Sequence, residues 1–242
     1  MRSNCRVFTL NQLEALKSYV ETSRLFGEEE FYLAPSFERF PKSDKKQKLD
    51  ALYFRYARCQ NCGLGASRNK IVFGMGSLDP KVLFVGEGPG YEEDKKGVPF
   101  VGKAGELLDK IMKAIGLDRD KVYIANIVKC HPMRDPAHPE LRGNDRPPEF
   151  AEISACRQIL DQQIEILNPP AICALGSTAA KALLNREQGI TLLRGKVYQF
   201  KFPISKKVVP LIPTYHPAAL LRNENLKKDV WHDIKLLRDM IR

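Results

Sequence analysis

The chain has 242 residues, 43% hydrophobic and 28% charged, which suits one large α/β domain or a domain with an extension. No apolar run approaches a membrane span, and the opening MRSNCRVFTLNQLEALKSYV lacks the unbroken apolar core of a signal peptide. That excludes a membrane partner and points to the cytosol, or to the nucleus in a eukaryote. Lysine and arginine total 39 against 29 acidic residues, and the formal charge of +10 favours a polyanionic partner.

Residues 1–50 read as a helical extension and basic linker. Leu13, Leu16, Val20 and Leu25 recur at helical spacing, and the weakly patterned SFERFPKSDKKQKLD follows. From residue 51 on, strands and helices alternate as one domain. KVLFVG (81–86) is a short apolar run ending in glycine, a buried strand. Leu107, Leu108, Ile111, Met112 and Ile115 predict a helix over 103–115, stopped by Gly116. KVYIANIVK (121–129) reads as a strand. A helix follows Pro147-Pro148 and ends before Asn168. AICALG (171–176) is a third buried strand, and Ser177 is placed to cap the helix STAAKALL. KVYQF (196–200) and VVPLIPTYHP (208–217) supply further strands, and Leu226, Val230, Ile234 and Leu237 line one face of a last helix. The alternation predicts a mostly parallel sheet covered by helices, with ligands at the C-terminal strand ends. The Gly86–Gly90 loop, Asn126 to Cys130, and His216 all fall at such ends.

Six cysteines in a chain of this compartment argue for metal or redox chemistry rather than disulfides. Cys59-x-x-Cys62 aims two sulfurs at one centre, and Cys130 and Cys156 can complete a set of four. Zinc usually takes two C-x-x-C knuckles. Here the second pair is split, so spacing leaves structural zinc and an iron–sulfur cluster both open. Cys173 lies in an apolar strand and reads as core; Cys5 carries no assignment.

The stretch VGEGPGYEEDKKGVPFVGKAGELLD (85–109) poses a conflict. Its glycines suggest a phosphate cradle, yet Glu87, Glu92, Glu93 and Asp94 would repel a phosphate. A dinucleotide loop must run directly into a helix, whereas the next predicted helix begins near Lys103; a Walker loop needs Ser or Thr after its Gly-Lys. A neutral planar ligand resolves the conflict. Glycines allow close backbone approach, the carboxylates shape the pocket or manage protons, and Phe100 stacks.

Four motifs, Glu87-Gly88-Pro89-Gly90, Gly97-Val98-Pro99-Phe100-Val101-Gly102-Lys103-Ala104-Gly105, Asn126-Ile127-Val128-Lys129-Cys130 and His216-Pro217-Ala218-Ala219-Leu220-Leu221-Arg222, together resemble the signature of family 4 uracil-DNA glycosylases. The resemblance covers residues 55–242 in order. It implies a three-layer α/β/α domain with a central four-stranded, mostly parallel sheet. It also implies a [4Fe–4S] cluster on Cys59, Cys62, Cys130 and Cys156, and monomeric action on uracil in single- or double-stranded DNA. Such an enzyme flips the nucleotide out and hydrolyses its glycosidic bond. By resemblance, Phe100 stacks on the base and Asn126 pairs with it. His216 donates to the O2 oxygen, Gly88 contributes a backbone N–H, and Glu93 crowds the 5-methyl of thymine. Relatives outside this family place a water-orienting aspartate where Gly88 stands, which leaves Glu87 as the nearest candidate. Lys103 is expected on phosphate, and Leu220, Leu221 and Arg222 in the minor groove. Each residue also has an ordinary reading: a core phenylalanine, a turn asparagine or histidine, solvated carboxylates, the start of a surface helix. Three rival functions stand beside the enzyme: a non-catalytic iron–sulfur DNA-binding relative, an iron–sulfur electron carrier, and a zinc-stabilised nucleotide-binding module. The loop between Cys130 and Cys156, with His131 and His138, exceeds the family pattern, and Tyr91 stands where relatives often carry an acid.

Overall fold

The computed structural model describes residues 44–141 and 143–241. The helix expected within residues 10–26, and Cys5, lie outside them. The first described helix, α1 (Asp44–Tyr56), starts inside the stretch read as linker. Its sequence looks weakly amphipathic because only Leu49 and Leu52 are buried. A short α2 (Leu64–Ser67) and the strand β1 (Met75–Gly76) lead to β2 (Val82–Gly86), α3 (Tyr91–Lys96), α4 (Lys103–Lys113) and β3 (Val122–Asn126). After a long loop come α5 (Phe150–Leu167), β4 (Ile172–Leu175), α6 (Ser177–Leu184), α7 (Ile190–Leu193), β5 (Tyr198–Lys201) and β6 (Val208–Thr214). The short α8 (Pro217–Arg222), a 3-10 turn and α9 (Lys227–Met240) close the chain.

Among the described residues, six strands form one sheet in the order β1-β3-β2-β4-β6-β5. The four central strands are parallel, as expected, and antiparallel β1 and β5 extend both edges. The period-two alternation of side chains splits each central strand between two cores. Leu83, Val85, Ala125, Ile172 and Ala174 pack on one face with α1, α5 and α6. Phe84, Ile124, Cys173, Leu175 and Ile212 pack on the other with α4, α8 and α9. Both faces are covered, which explains why β2, β3 and β4 read as continuous apolar runs. Cys173 is fully buried in the second core.

Two local expectations change. Ser177 does not cap α6; Gly176 occupies the cap with φ +93°, and Ser177 is the first helical residue. A helix also enters straight after the glycine loop, because Gly90 caps α3. The first turn of α3 holds Glu92, Glu93 and Asp94, so the electrostatic argument against a phosphate stands although the argument from helix position does not. The strand register pairs Gly86 with Asn126 and Leu175 with Thr214, so β2, β3, β4 and β6 end along one edge. The chain leaves β2 for β3 on one side and reaches β4 on the other, which makes this edge the switch point of the sheet.

Candidate active site

A cavity of about 450 Å³ opens at that edge. Glu87, Gly88, Glu93, Phe100, Asn126, His216 and Arg222, from five separate segments, all line it. A larger groove of about 980 Å³ runs along α1, but it holds none of these residues. The chemistry converges in the smaller cavity.

Asn126 ends β3 and is 2% exposed, and its Oδ1 is buried without a hydrogen-bond partner. Such an atom costs about 1–3 kcal/mol unless a ligand supplies the donor. Gly86 must be glycine here, because a Cβ would lie 2.4 Å from Asn126 Oδ1 and 2.8 Å from Phe100 Cζ. Phe100 adopts a left-handed backbone, φ +54°, which an L residue holds only under constraint. The constraint comes from Arg119. Its guanidinium donates to the carbonyls of Pro99 (3.2 Å) and Phe100 (2.5 Å) and pairs with Asp109 (2.9 Å). The phenyl ring then lies 5.4 Å from the imidazole of His216, tilted by 32°.

His216 caps α8, with Pro217 as the first helical residue. Its Nδ1 accepts the Ala218 N–H at 3.2 Å, so a neutral ring carries its proton on Nε2. Burial, with the Arg222 guanidinium adding to it, pushes the imidazole down to about 4. The end of β6 is fixed by a buried carboxylate: Asp233 accepts from Thr214 Oγ1 (2.7 Å) and from Arg194 (2.7 Å). Burial raises the pKa of Asp233, and the bonds from Arg194 and Thr214 oppose that.

Glu87 accepts a hydrogen bond from the hydroxyl of Thr178 on α6. Both oxygens of Glu93 are engaged. Oε2 takes the Gly90 N–H (3.2 Å), and Oε1 takes those of Val101 (3.0 Å) and Gly102 (3.3 Å). Glu93 therefore braces the glycine loop against the start of α4 while forming pocket wall. Lys103 is exposed at the first residue of α4, outside the cavity lining. Leu220 corrects the groove-filling expectation. It is 2% exposed and packs in the second core, while Leu221 is 51% exposed and Arg222 reaches the cavity.

The model of the uracil DNA glycosylase superfamily matches residues 73–240. A type-4 uracil-DNA glycosylase of Sulfurisphaera tokodaii is 42% identical over 187 residues, 75% of this chain and 80% of the relative. One of Thermotoga maritima is 40% identical over 201 residues, 82% of this chain and 97% of the relative. The chain belongs to the type-4 branch of the uracil DNA glycosylase superfamily. A stretch of the DNA polymerase of Bacillus phage SP01 is also similar, at 30% over 169 residues, 69% of this chain and 16% of that protein.

In this member of the superfamily, Thr178, Arg119, Asp145 and Arg146 join the site unannounced by the sequence reading. Thr178 sits in the first turn of the helix after β4, a strand end, and that position was the available signal. Asp145 and Arg146 belong to the long loop, and no local pattern says that it folds back to the cavity. Asn144 knits that loop, accepting from the N–H groups of Arg134 and Asp135 and donating to the carbonyls of Asp135 and His138. Arg146 anchors it on Glu152 at 2.6 Å, and fully buried His131 meets Asp145 at 2.6 Å.

Cys59, Cys62, Cys130 and Cys156 line one small hollow beside the start of α2 and the middle of α5. Donors point at the sulfurs: the Asn61 N–H lies 3.5 Å from Cys59 Sγ, and Arg68 Nη1 lies 3.6 Å from Cys130 Sγ. Among the described residues, no group of three or more His, Cys, Asp or Glu is arranged to hold a single metal ion. No described helix is long and apolar enough to cross a membrane.

Proposed function

We propose that the protein excises uracil from DNA in base excision repair, taking the flipped nucleotide into the strand-end cavity and hydrolysing its glycosidic bond. The observation that carries this is the unpartnered Oδ1 of Asn126. It is a buried acceptor, and uracil N3–H is a donor while the amide N–H complements uracil O4. Cytosine presents an acceptor at N3 and leaves Oδ1 unsatisfied. Phe100 supplies the stacking face. His216 Nε2–H donates to uracil O2 as the C1′–N1 bond breaks and its electron pair passes to the base. No proton needs to leave a neutral imidazole for this. The Gly88 N–H adds a backbone donor, and Glu93 forms wall beside the 5-position.

Glu87, oriented by Thr178, holds the water that adds to C1′ and receives its proton. Lys103 serves a phosphate, and exposed Leu221, with Arg222 beside it at the cavity, enters the minor groove and fills the gap left by the flipped base.

The four thiols share one hollow, and four thiolates from the 59–62 turn, the segment after β3 and α5 suit a [4Fe–4S] cluster, the cofactor that the family resemblance implies. When bound, the cluster supplies a structural staple joining the 59–62 turn to Cys130 and α5, and hydrolysis needs no redox step.

Oligonucleotides bearing one uracil, single- and double-stranded, are incubated with the protein and cleaved with alkali at abasic sites. Strand scission at the uracil is expected. Binding without scission would instead establish a non-catalytic DNA-binding member.

A further inference from the structure

Lys129 is a long cationic side chain that the hydrolysis does not use. It is 1% exposed, among the largest fully buried side chains. Its ammonium donates to the main-chain carbonyl of Asn126 at 2.8 Å. Among the described residues no carboxylate forms an ion pair or hydrogen bond with it, and it lies in the wall of the hollow that holds Cys130 and Cys156. Lys129 and Arg68 both line the hollow that holds the four cysteines, and Arg68 Nη1 lies 3.6 Å from Cys130 Sγ. Burying an unpaired ammonium costs several kcal/mol unless the amine gives up its proton or an anion lies beside it, and the cysteine hollow is the place for such an anion. Four thiolates around a [4Fe–4S]²⁺ core carry a net charge of −2, and Lys129 and Arg68 carry +2.

We propose that Lys129 is a positioning residue whose charge balances the thiolate-bound cluster and whose ammonium holds the Asn126 carbonyl, so that cluster integrity sets the base-reading asparagine. This rests on the cluster reading above. With the cluster in place, the ammonium has a counter-charge on one side and an acceptor on the other. Without it, an uncompensated cation lies three residues behind Asn126 and draws water or moves, and β3 loses the tie that aims the amide into the cavity.

The test compares the wild-type holoprotein with K129M, K129Q and K129R. Four quantities are read: iron and sulfide per chain, visible absorbance, the rate of bleaching by ferricyanide, and the affinity for an oligonucleotide with a non-cleavable deoxyuridine analogue relative to its thymidine counterpart. K129M and K129Q are expected to bleach at least about 10-fold faster and to lose most of the uracil preference, with K129R close to wild type. Wild-type bleaching and undiminished preference in K129M or K129Q would overturn the proposal. So would K129R as damaged as K129M, because packing rather than charge would then be the cause. If K129M yields no folded protein, K129Q and K129R carry the comparison. A wild-type protein without iron and sulfide overturns the cluster reading itself, a result distinct from failure of the lysine contact.

Discussion

Lowering the pH reads out the state of His216. Burial, with the Arg222 guanidinium second, takes its imidazole from the usual 6.5 down to about 4. The ring is therefore neutral from about pH 5 upward, with Nδ1 held by the Ala218 N–H and the proton on Nε2. As the pH falls through 6.5 the unfolded chain takes up a proton here, whereas the folded chain does so only near 4. Stability tied to this residue is whole above pH 6.5 and is lost as the pH drops toward 4. At about 1.4 kcal/mol per pH unit the gap bounds the loss at about 3.5 kcal/mol, and solvent at the cavity mouth brings it nearer about 2. Urea unfolding at several pH values from 7 to 4.5, on wild type and H216Q, isolates the term, because H216Q lacks it. Single-turnover excision shows the catalytic side: the His216-dependent rate stays flat between pH 5.5 and 8. An acid limb near pH 6.5 that vanishes in H216Q, or a ring titrating near 6.5 by NMR, would refute the neutral-donor argument.

Glu87→Gln is expected to cut single-turnover excision by about 100-fold with uracil-DNA affinity retained; an unchanged rate removes Glu87 from the mechanism. Asp233→Ala strands half-buried Arg194 and buried Thr214 and is expected to cost about 3 kcal/mol by urea unfolding. A loss under 1 kcal/mol would mean that the pair does not anchor β6. Gly105→Ala puts a Cβ 1.9 Å from the Phe100 carbonyl oxygen, so Phe100 must move and uracil affinity falls at least about 10-fold. Gly189→Ala, with open space around it, leaves affinity unchanged.

Much of the scaffold was legible because its signals are local. β2, β3 and β4 are apolar on both faces and announce buried parallel strands, and Leu107, Leu108, Ile111 and Met112 carry the helical period of α4. Other elements escaped for physical reasons. α1 hides in a lysine-rich stretch because it buries only two leucines. α3 begins with three acids that look like a loop until Gly90 and Glu93 cap it. Within the site, the motifs named Asn126, Phe100 and His216 by resemblance, but a string of letters has no burial. Leu220 and Leu221 are adjacent leucines, and only the rotation of α8 turns one into the core and leaves the other in solvent.

The sequence by itself determined the central strands and the longer helices from α4 on, the parallel core of the sheet, the family and the residue types available for chemistry, since periodicity and motif spacing are properties of neighbours along the chain. Tertiary structure alone decided which of those residues meet. Thr178 reaches Glu87 across 91 positions, Arg119 holds Phe100 in a left-handed conformation, and Lys129 bridges Asn126 and the cysteine hollow. Those contacts depend on strand register and on burial, which turn a polar atom into an unmet hydrogen bond and a lysine into an unbalanced charge.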